Sequence, residues 1–221
     1  MSTTLPMFPL NTVLFPGVVV PLHVFEERYR ALVHRLLRVP EPADRLFGSV
    51  AIREGYEVGD HGAQSLFRVG CRMQLTEVSS NADGSFDIVA VGRDRLRLEE
   101  LHTSGDFPEG VVTTLDGGAE DASEETVERA LATFEAYRAA VTEMRGDPLP
   151  GPVPQDPTYL SWTLAAAAPL ALPERQSLLE CDGAEERLLL VTDLLSHELR
   201  AIRVIPSLPA TEVARTRWSP N

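Results

Sequence analysis

The sequence predicts an α+β chain: an N-terminal rolled β-sheet or pseudo-barrel with one inserted helix, followed by an α-helical bundle. Three observations carry this. Phe67, Val69, Cys71, Met73 and Leu75 alternate with Arg68, Gly70, Arg72, Gln74 and Thr76, the period of a half-buried strand, and a return strand follows an Asp83-Gly84 turn. Phe25, Tyr29, Leu32, Val33 and Leu36 recur at three and four, a helical stripe set among strand segments. Beyond an acidic, glycine-containing stretch at Asp116–Glu125, the helical period takes over.

In order, Leu5–Leu10, Val13–Phe15 and Val18–Val20 read as short strand pieces, with Pro16-Gly17 as a turn. Phe25 to about Arg38 reads as helix, stopped by Pro40 and Pro42. Leu46–Arg53 is a strand. The return strand of the hairpin carries Phe86, Ile88, Ala90, Leu96 and Leu98, and Gly92 within it marks a bulge or bend where the sheet curls. Val111–Leu115 closes the β-rich half, expected to span residues 1–116.

The helical half is expected over 117–205. Ser123 or Asp121 can cap a helix led by Glu124 and Glu125, whose charges suit the helix dipole. Its apolar stripe reads as Val127, Leu131, Phe134, Val141 and Met144, ended by Gly146. Residues 146–157 hold five prolines and form a stiff connector. Tyr159–Ala168 is a short helix. Pro173 and Glu174 open another that ends near Asp182-Gly183. From Glu185 to about Val204 a long helix presents Leu188, Val191, Leu195, Leu199 and Ile202 on one face. Residues 206–221 read as an irregular tail.

Composition limits the functions. With 221 residues the chain can bury a full core. The net charge is −13; residues 1–115 carry 15 acidic and 11 basic side chains, and residues 116–221 carry 18 and 9. An acidic surface repels phosphate backbones and anionic membranes, so neither nucleic acid nor membrane is expected as a partner. No run of apolar residues is long enough to span a bilayer, and Pro6, Pro9, Pro16 and Pro21 break any signal-peptide helix. Cys71 and Cys181 lie far apart and read as two buried thiols of a cytoplasmic protein.

Every one of the 20 basic residues is arginine; the chain has no lysine. It therefore holds neither a P-loop lysine nor a Ser-Lys dyad, and it has no G-x-S-x-G elbow. Asp193 and His197 are spaced for a hydrogen bond on one helix, but Ser196 points elsewhere, so no triad forms and the group reads as a solvated helix face. His23, His34, His61, His102 and His197 show no metal-ligand spacing, and the cysteines form no C-x-x-C, so no cofactor or metal is expected. Arg68 and Arg72 share one strand face, as do Arg93, Arg95 and Arg97. Together they form a candidate positive stripe for carboxylates, weighed against an ordinary polar outer face neutralised by acids such as Asp87 and Glu99. Glu26 and Arg30 are spaced for an ion pair on the first helix.

The opening Leu5-Pro6-Met7-Phe8-Pro9-Leu10, the Phe15-Pro16-Gly17 turn and Pro21-Leu22-His23-Val24-Phe25-Glu26 leading into the helix resemble the start of the N-terminal, substrate-binding domain of Lon proteases. Phe47-Gly48-Ser49-Val50, Val69-Gly70-Cys71, Val91-Gly92-Arg93, Phe107-Pro108 and the segment Leu170–Leu179 extend the likeness over roughly residues 5–204. The resemblance implies a PUA-like β-domain with a helical subdomain. It also implies a stand-alone binding module without ATPase or peptidase domains, whose family designation, peptidase S16, describes parts this chain lacks. Phe15, Pro16, Pro21, Phe25 and Tyr29 are its signature residues, read first as core and second as contact, because large apolar residues build cores. A recognition surface is expected beside the first helix, where the two halves meet.

The leading expectation is thus a non-catalytic module that binds unfolded polypeptide or one dedicated protein partner, linked to protein quality control. A small-molecule or RNA binder, by PUA-like analogy, comes second. An aromatic content of 6% gives such a binder few stacking platforms. A peptidase comes last.

Overall fold

The computed structural model describes residues 2–53, 66–118, 121–145 and 151–204. In chain order the first unit (Met1–Gly117) carries β1 (Ser2–Pro6), β2 (Val19–Val24), α1 (Glu27–Leu37), a 3-10 turn at Pro42–Asp44, β3 (Leu46–Ile52), β4 (Leu66–Ser80), β5 (Phe86–His102) and β6 (Glu109–Thr114). The second unit (Gly118–Asn221) carries α2 (Glu124–Arg145), α3 (Pro157–Ala167), α4 (Leu172–Glu180) and α5 (Ala184–Val204). The expected tail at 206–221 and the first part of the proline-rich connector lie outside the described residues.

The β4–β5 hairpin is the spine of the first unit. The antiparallel sheet runs β1-β6-β5-β4-β3, with β2 on the first half of β5. At the hairpin tip Asp83 accepts from the Ser85 N–H and hydroxyl, and Gly84 takes the left-handed conformation at φ 83°. Two registry shifts curl the ribbon. Between Cys71 and Met73 the partner strand advances from Arg95 to Gly92, an extra residue in β5; between Leu75 and Glu77 the extra residue sits in β4. Gly92 also stands where the backbone of the opening segment presses in. A Cβ there would lie 2.1 Å from the Phe15 carbonyl oxygen, and Gly17 and Val18 exchange backbone hydrogen bonds with Gly92.

Several boundaries move. The expected strand Leu5–Leu10 ends at Pro6, and Met7 and Leu10 continue as isolated parallel bridges to Gly48 and Ala51. Val13–Phe15 is buried loop, not strand: Val13, Leu14 and Phe15 all turn into the core instead of alternating between two faces. The piece read as Val18–Val20 is a longer strand, running through Pro21 to Val24. The helix begins at Glu27 rather than Phe25, because Glu26 is an extended N-cap residue at φ −65°, ψ 138°. That conformation also overturns the expected Glu26–Arg30 pair: the Glu26 carboxylate takes Arg28 at 2.9 Å, while Arg30 reaches toward the hairpin tip at the Gly84 carbonyl.

Tyr29, Leu32, Val33 and Leu36 of α1 are buried as expected. They close one end of the roll over Phe8, Phe47, Met73, Leu75, Phe86 and Ile88. The rings of Phe8 and Tyr29 stack at 4.1 Å between centroids. A second cluster, including Leu5, Met7, Val50, Leu96, Leu98 and Val112, fills the other part of the sheet. Each such side chain contributes about 1.5–3 kcal/mol when fully buried. Both cysteines are free and buried, and burial pushes the Cys71 thiol up to about 12.

In the second unit Phe134 and Val141 of the expected α2 stripe are buried, but Thr126, Ala130 and Tyr137 complete the buried row in place of Val127 and Leu131; the Met144 side chain lies outside the described residues. A small residue, Ala130, permits close approach, and the larger Val127 and Leu131 stand one step to the side, half-buried. The start of α2 is capped from α5: Glu185 accepts from Thr126 Oγ1 at 2.7 Å and from the Ser123 N–H at 2.7 Å, and these bonds hold its carboxyl below the usual range. Asp156 caps α3 through the Tyr159 N–H, and the Glu174 carboxylate accepts from the Ala171 N–H at the start of α4. At the centre of this unit sits a charge. Arg187 is fully buried; it donates to Ser161 Oγ at 2.6 Å and to the Leu178 carbonyl, and its guanidinium lies 3.2 Å from the centre of the Trp162 ring.

Because the Phe15 carbonyl fills the space beside Gly92, Gly92→Ala should destabilise the protein by about 2–3 kcal/mol, the scale of overpacking against fixed backbone. Gly105→Ala, with only one ordinary contact at 3.6 Å, should stay within about 0.5 kcal/mol. Urea unfolding of the two variants checks the contrast.

Candidate functional site

Strand β2 lies on the sheet by one edge only. Val19 to Val24 face Val91 to Phe86 of β5 in antiparallel register, and among the described residues no backbone hydrogen bond reaches the other edge. The bond from the Gly92 N–H to the Val18 carbonyl at 3.0 Å fixes the alternation: Val20 and Leu22 exchange bonds with β5, while Val19, Pro21 and His23 direct their backbone outward. Pro21, which has no N–H, thus sits where a ladder donor is not needed.

The side chains alternate too. Val20, Leu22 and Val24 turn to the core; Val19, Pro21, His23 and Phe25 turn to solvent. Val19 is 61% exposed and Phe25 66%, the two most exposed large apolar side chains among the described residues. Half-buried Val89 and Val91 on β5 stand opposite Pro21 and Val19 and widen this apolar strip. His23 faces Asp87, with Nδ1 2.7 Å from the carboxylate, and its ring lies beside that of Phe25 at 6.0 Å. That contact, with a second bond from Asn81, holds the Asp87 carboxyl below its ordinary value.

Directly after Phe25 the chain enters α1, where Glu26, Glu27, Arg28, Ala31 and Asp106 line an open cleft of about 580 Å³. Three carboxylates to one guanidinium make it acidic. Arg28 is held to Glu26 and lies over the Tyr29 ring at 4.6 Å. Chemically, the surface offers an apolar strip, a row of outward backbone groups and an acidic end.

The sequence-derived candidates separate on this geometry. Pro21 and Phe25 are exposed and belong to the strip; Phe15, Pro16 and Tyr29 are buried and build the core beneath it. The arginines do not gather into one open stripe. Arg95 is only 5% exposed and donates to the Asp116 carbonyl, drawn in by the bulge next to Gly92. Arg72 pairs with Asp94, Arg93 holds Gln74, and Arg68 donates to the Leu98 and Glu99 carbonyls; Arg97 is exposed. Val19 and His23 were not among the candidates, though the alternation Val19-Pro21-His23-Phe25 is visible in the sequence once β2 is extended to Val24. Among the described residues no group of three or more His, Cys, Asp or Glu side chains is placed to hold a metal ion, and no helix is long and apolar enough to cross a membrane. Ser196 donates to the Thr192 carbonyl of its own helix.

The strip and the core beneath it should respond oppositely to truncation. Val19→Ser and Phe25→Ser should change unfolding free energy by less than about 0.5 kcal/mol, whereas Tyr29→Ala should cost about 3–5 kcal/mol. Chemical denaturation of the three variants measures this.

The fold is shared with known proteins, and sequence similarity to such proteins runs along most of the chain. The crystal structure of a Lon N-terminal domain protein from Xanthomonas campestris superposes with a TM-score of 0.62 at 23% identity, covering 88% of this chain and 98% of its own. The N-terminal domain of a Mycobacterium avium complex Lon protease superposes at 0.61 with 19% identity and the same coverage. A Lon protease of Cytophaga hutchinsonii is 26% identical over 213 residues, and Lon protease 2 of Herpetosiphon aurantiacus is 28% identical over 204. These alignments take in 91% and 90% of this chain but only 25% and 24% of the relatives, so the chain spans about a quarter of their length. Residues 4–197 match the family described as the ATP-dependent protease La (LON) substrate-binding domain, from β1 into α5, and with rolled sheet and helical unit both accounted for, the chain belongs to that family.

Proposed function

We propose that this chain is a non-catalytic polypeptide-binding module that holds extended or unfolded segments on the outer face of β2 and the head of α1. The observation that carries the reading is the exposure of Val19 on, and Phe25 directly after, a strand whose other face is locked into the core. Apolar side chains on a rigid element bind by burial without first having to be ordered. Membership of a substrate-binding family supports the same reading. The absence of lysine supports the non-catalytic part, since neither ATP hydrolysis through a P-loop nor a Ser-Lys peptidase can be built from these residues. The net charge of −13 weighs against RNA as the ligand. Two free, buried thiols favour a reducing, cytoplasmic setting, where unfolded chains arise for quality control or where one dedicated protein partner is met.

Fluorescence anisotropy of the purified protein against labelled unfolded casein, with a folded protein as control, tests the proposal. Saturable binding of the unfolded chain alone is expected, with no cleavage in the presence or absence of ATP. Phe25→Ser should weaken it about 5–10-fold, the loss of roughly 1–1.4 kcal/mol of contact. Casein cleavage that persists in rigorously purified protein, or no binding at all, would contradict the reading.

A further inference from the structure

The apolar strip leaves open how a segment is held, and the backbone of β2 answers that. Val19 and His23 present N–H groups, and Val19, Pro21 and His23 carbonyls, along the edge of β2 away from β5. Proteins ordinarily blunt such an edge with charge, irregularity or a covering element. Among the described residues the edge has one such device, Pro21, which removes a single donor and leaves its carbonyl in place. The strand is straight in register with β5 from Val19 to Val24, without a bulge. Its other neighbours keep it fixed: Val24 packs in the core with Phe86 and Ile88.

We propose that the polypeptide partner adds to the sheet as a further strand along the free edge of β2, with alternate apolar side chains on the Val19–Phe25 face and lysine or arginine residues toward the acidic cleft. This rests on the polypeptide-binding reading and specifies its mode. The alternation of Val19, Pro21, His23 and Phe25 sets the partner's period at two, because an added strand turns every second side chain to the same face. Backbone hydrogen bonds then supply affinity that does not depend on sequence, and the strip selects alternating apolar residues. Charge supplies the remaining selection. Glu26, Glu27 and Asp106 outnumber Arg28 in the cleft that follows Phe25, and Asp87 stands on the same face beside His23. The same charge disfavours a second copy of this chain at the edge, since like carboxylates would meet across it.

A labelled peptide of alternating valine and threonine, with two arginines at each end, is the probe, and anisotropy is the readout. N-methylation of every second residue removes the outward donors of one edge of the peptide and leaves the other edge intact. One methylated set should weaken binding at least 10-fold and the other less than about 2-fold, because only one edge pairs with β2. Exchange of the arginines for glutamates should weaken binding at least 5-fold. Equal effects of the two methylated sets would overturn strand addition, and indifference to the charge exchange would overturn the basic preference. Sedimentation of the free protein supplies a third arm: a monomer is expected, and a dimer that the peptide dissociates would assign the edge to a second copy instead. Casein binding separates the failures. If unfolded casein binds while both methylated sets act alike, the polypeptide reading stands and strand addition fails; if casein does not bind, both fall.

Discussion

The first unit depends on closure of its sheet by the opening segment. Strands β1, β6, β5, β4 and β3 form a curled ribbon whose two ends must meet. Met7 to Leu10 make that join: the Phe8 N–H donates to the Gly48 carbonyl at 2.8 Å, the Leu10 N–H to Val50 at 3.1 Å, and the Ile52 N–H to Leu10 at 2.9 Å. The Met7 N–H meanwhile donates to the Pro108 carbonyl, just before β6. The join is parallel, so it cannot come from a tight hairpin and needs the chain's beginning laid beside β3. Side-chain space is matched to it: a Cβ at Gly48 would stand 2.5 Å from the Met7 sulfur. Without this seam Phe8 would lose its place under Tyr29, and α1 would lose its seat.

The candidate binding surface inherits its rigidity from that seam. Phe15 and Pro16 anchor the turn into β2, the Gly92 contact fixes where the strand starts, and Val24 and Tyr29 fix where it ends. Between these anchors β2 can carry exposed apolar side chains without collapsing onto them. The residues that carry the resemblance therefore split into two roles. Phe8, Phe15 and Tyr29 hold the platform, and Pro21 and Phe25 stand on it. The helical unit is built on a different compromise, a fully buried Arg187 stacked on Trp162. Its desolvation is offset by neutral oxygen acceptors and an aromatic face.

Local rules made the hairpin legible: strict alternation and an Asp-Gly turn need no knowledge of the rest of the chain. The same holds for α1 from Tyr29 to Leu36. The spacing of Phe25 to Tyr29 fits a helix as well as it fits a strand. Only the extended N-cap at Glu26 assigns Phe25 to the alternation of β2, and so to solvent. Simple alternation puts Arg95 on an outer face, but the extra residue in β5 turns it inward, and a bulge changes facing without leaving a clear mark in composition. In α2 the buried row passes through Thr126, Ala130 and Tyr137, residues whose polarity or small size hides them from an apolar count. Arg187 gave no signal either, since an arginine beside two glutamates reads as a solvated helix face. The family resemblance, in contrast, is readable from the opening Leu5–Leu10 and Pro21–Glu26 segments, and the family match extends over residues 4–197.

Amide hydrogen exchange of the free protein, residue by residue, tests the central claim that a closed, rigid roll presents an unpaired strand edge. The account predicts slow exchange at Phe8, Leu10 and Ile52, which close the roll, and at Val20 and Leu22, which pair with β5. It predicts exchange faster by at least about 100-fold at Val19 and His23, whose amides face outward on the same strand. Equal protection along all of β2 would mean that the edge is already covered, and rapid exchange at Phe8 and Leu10 would mean that the roll is not closed. Either result would contradict the account.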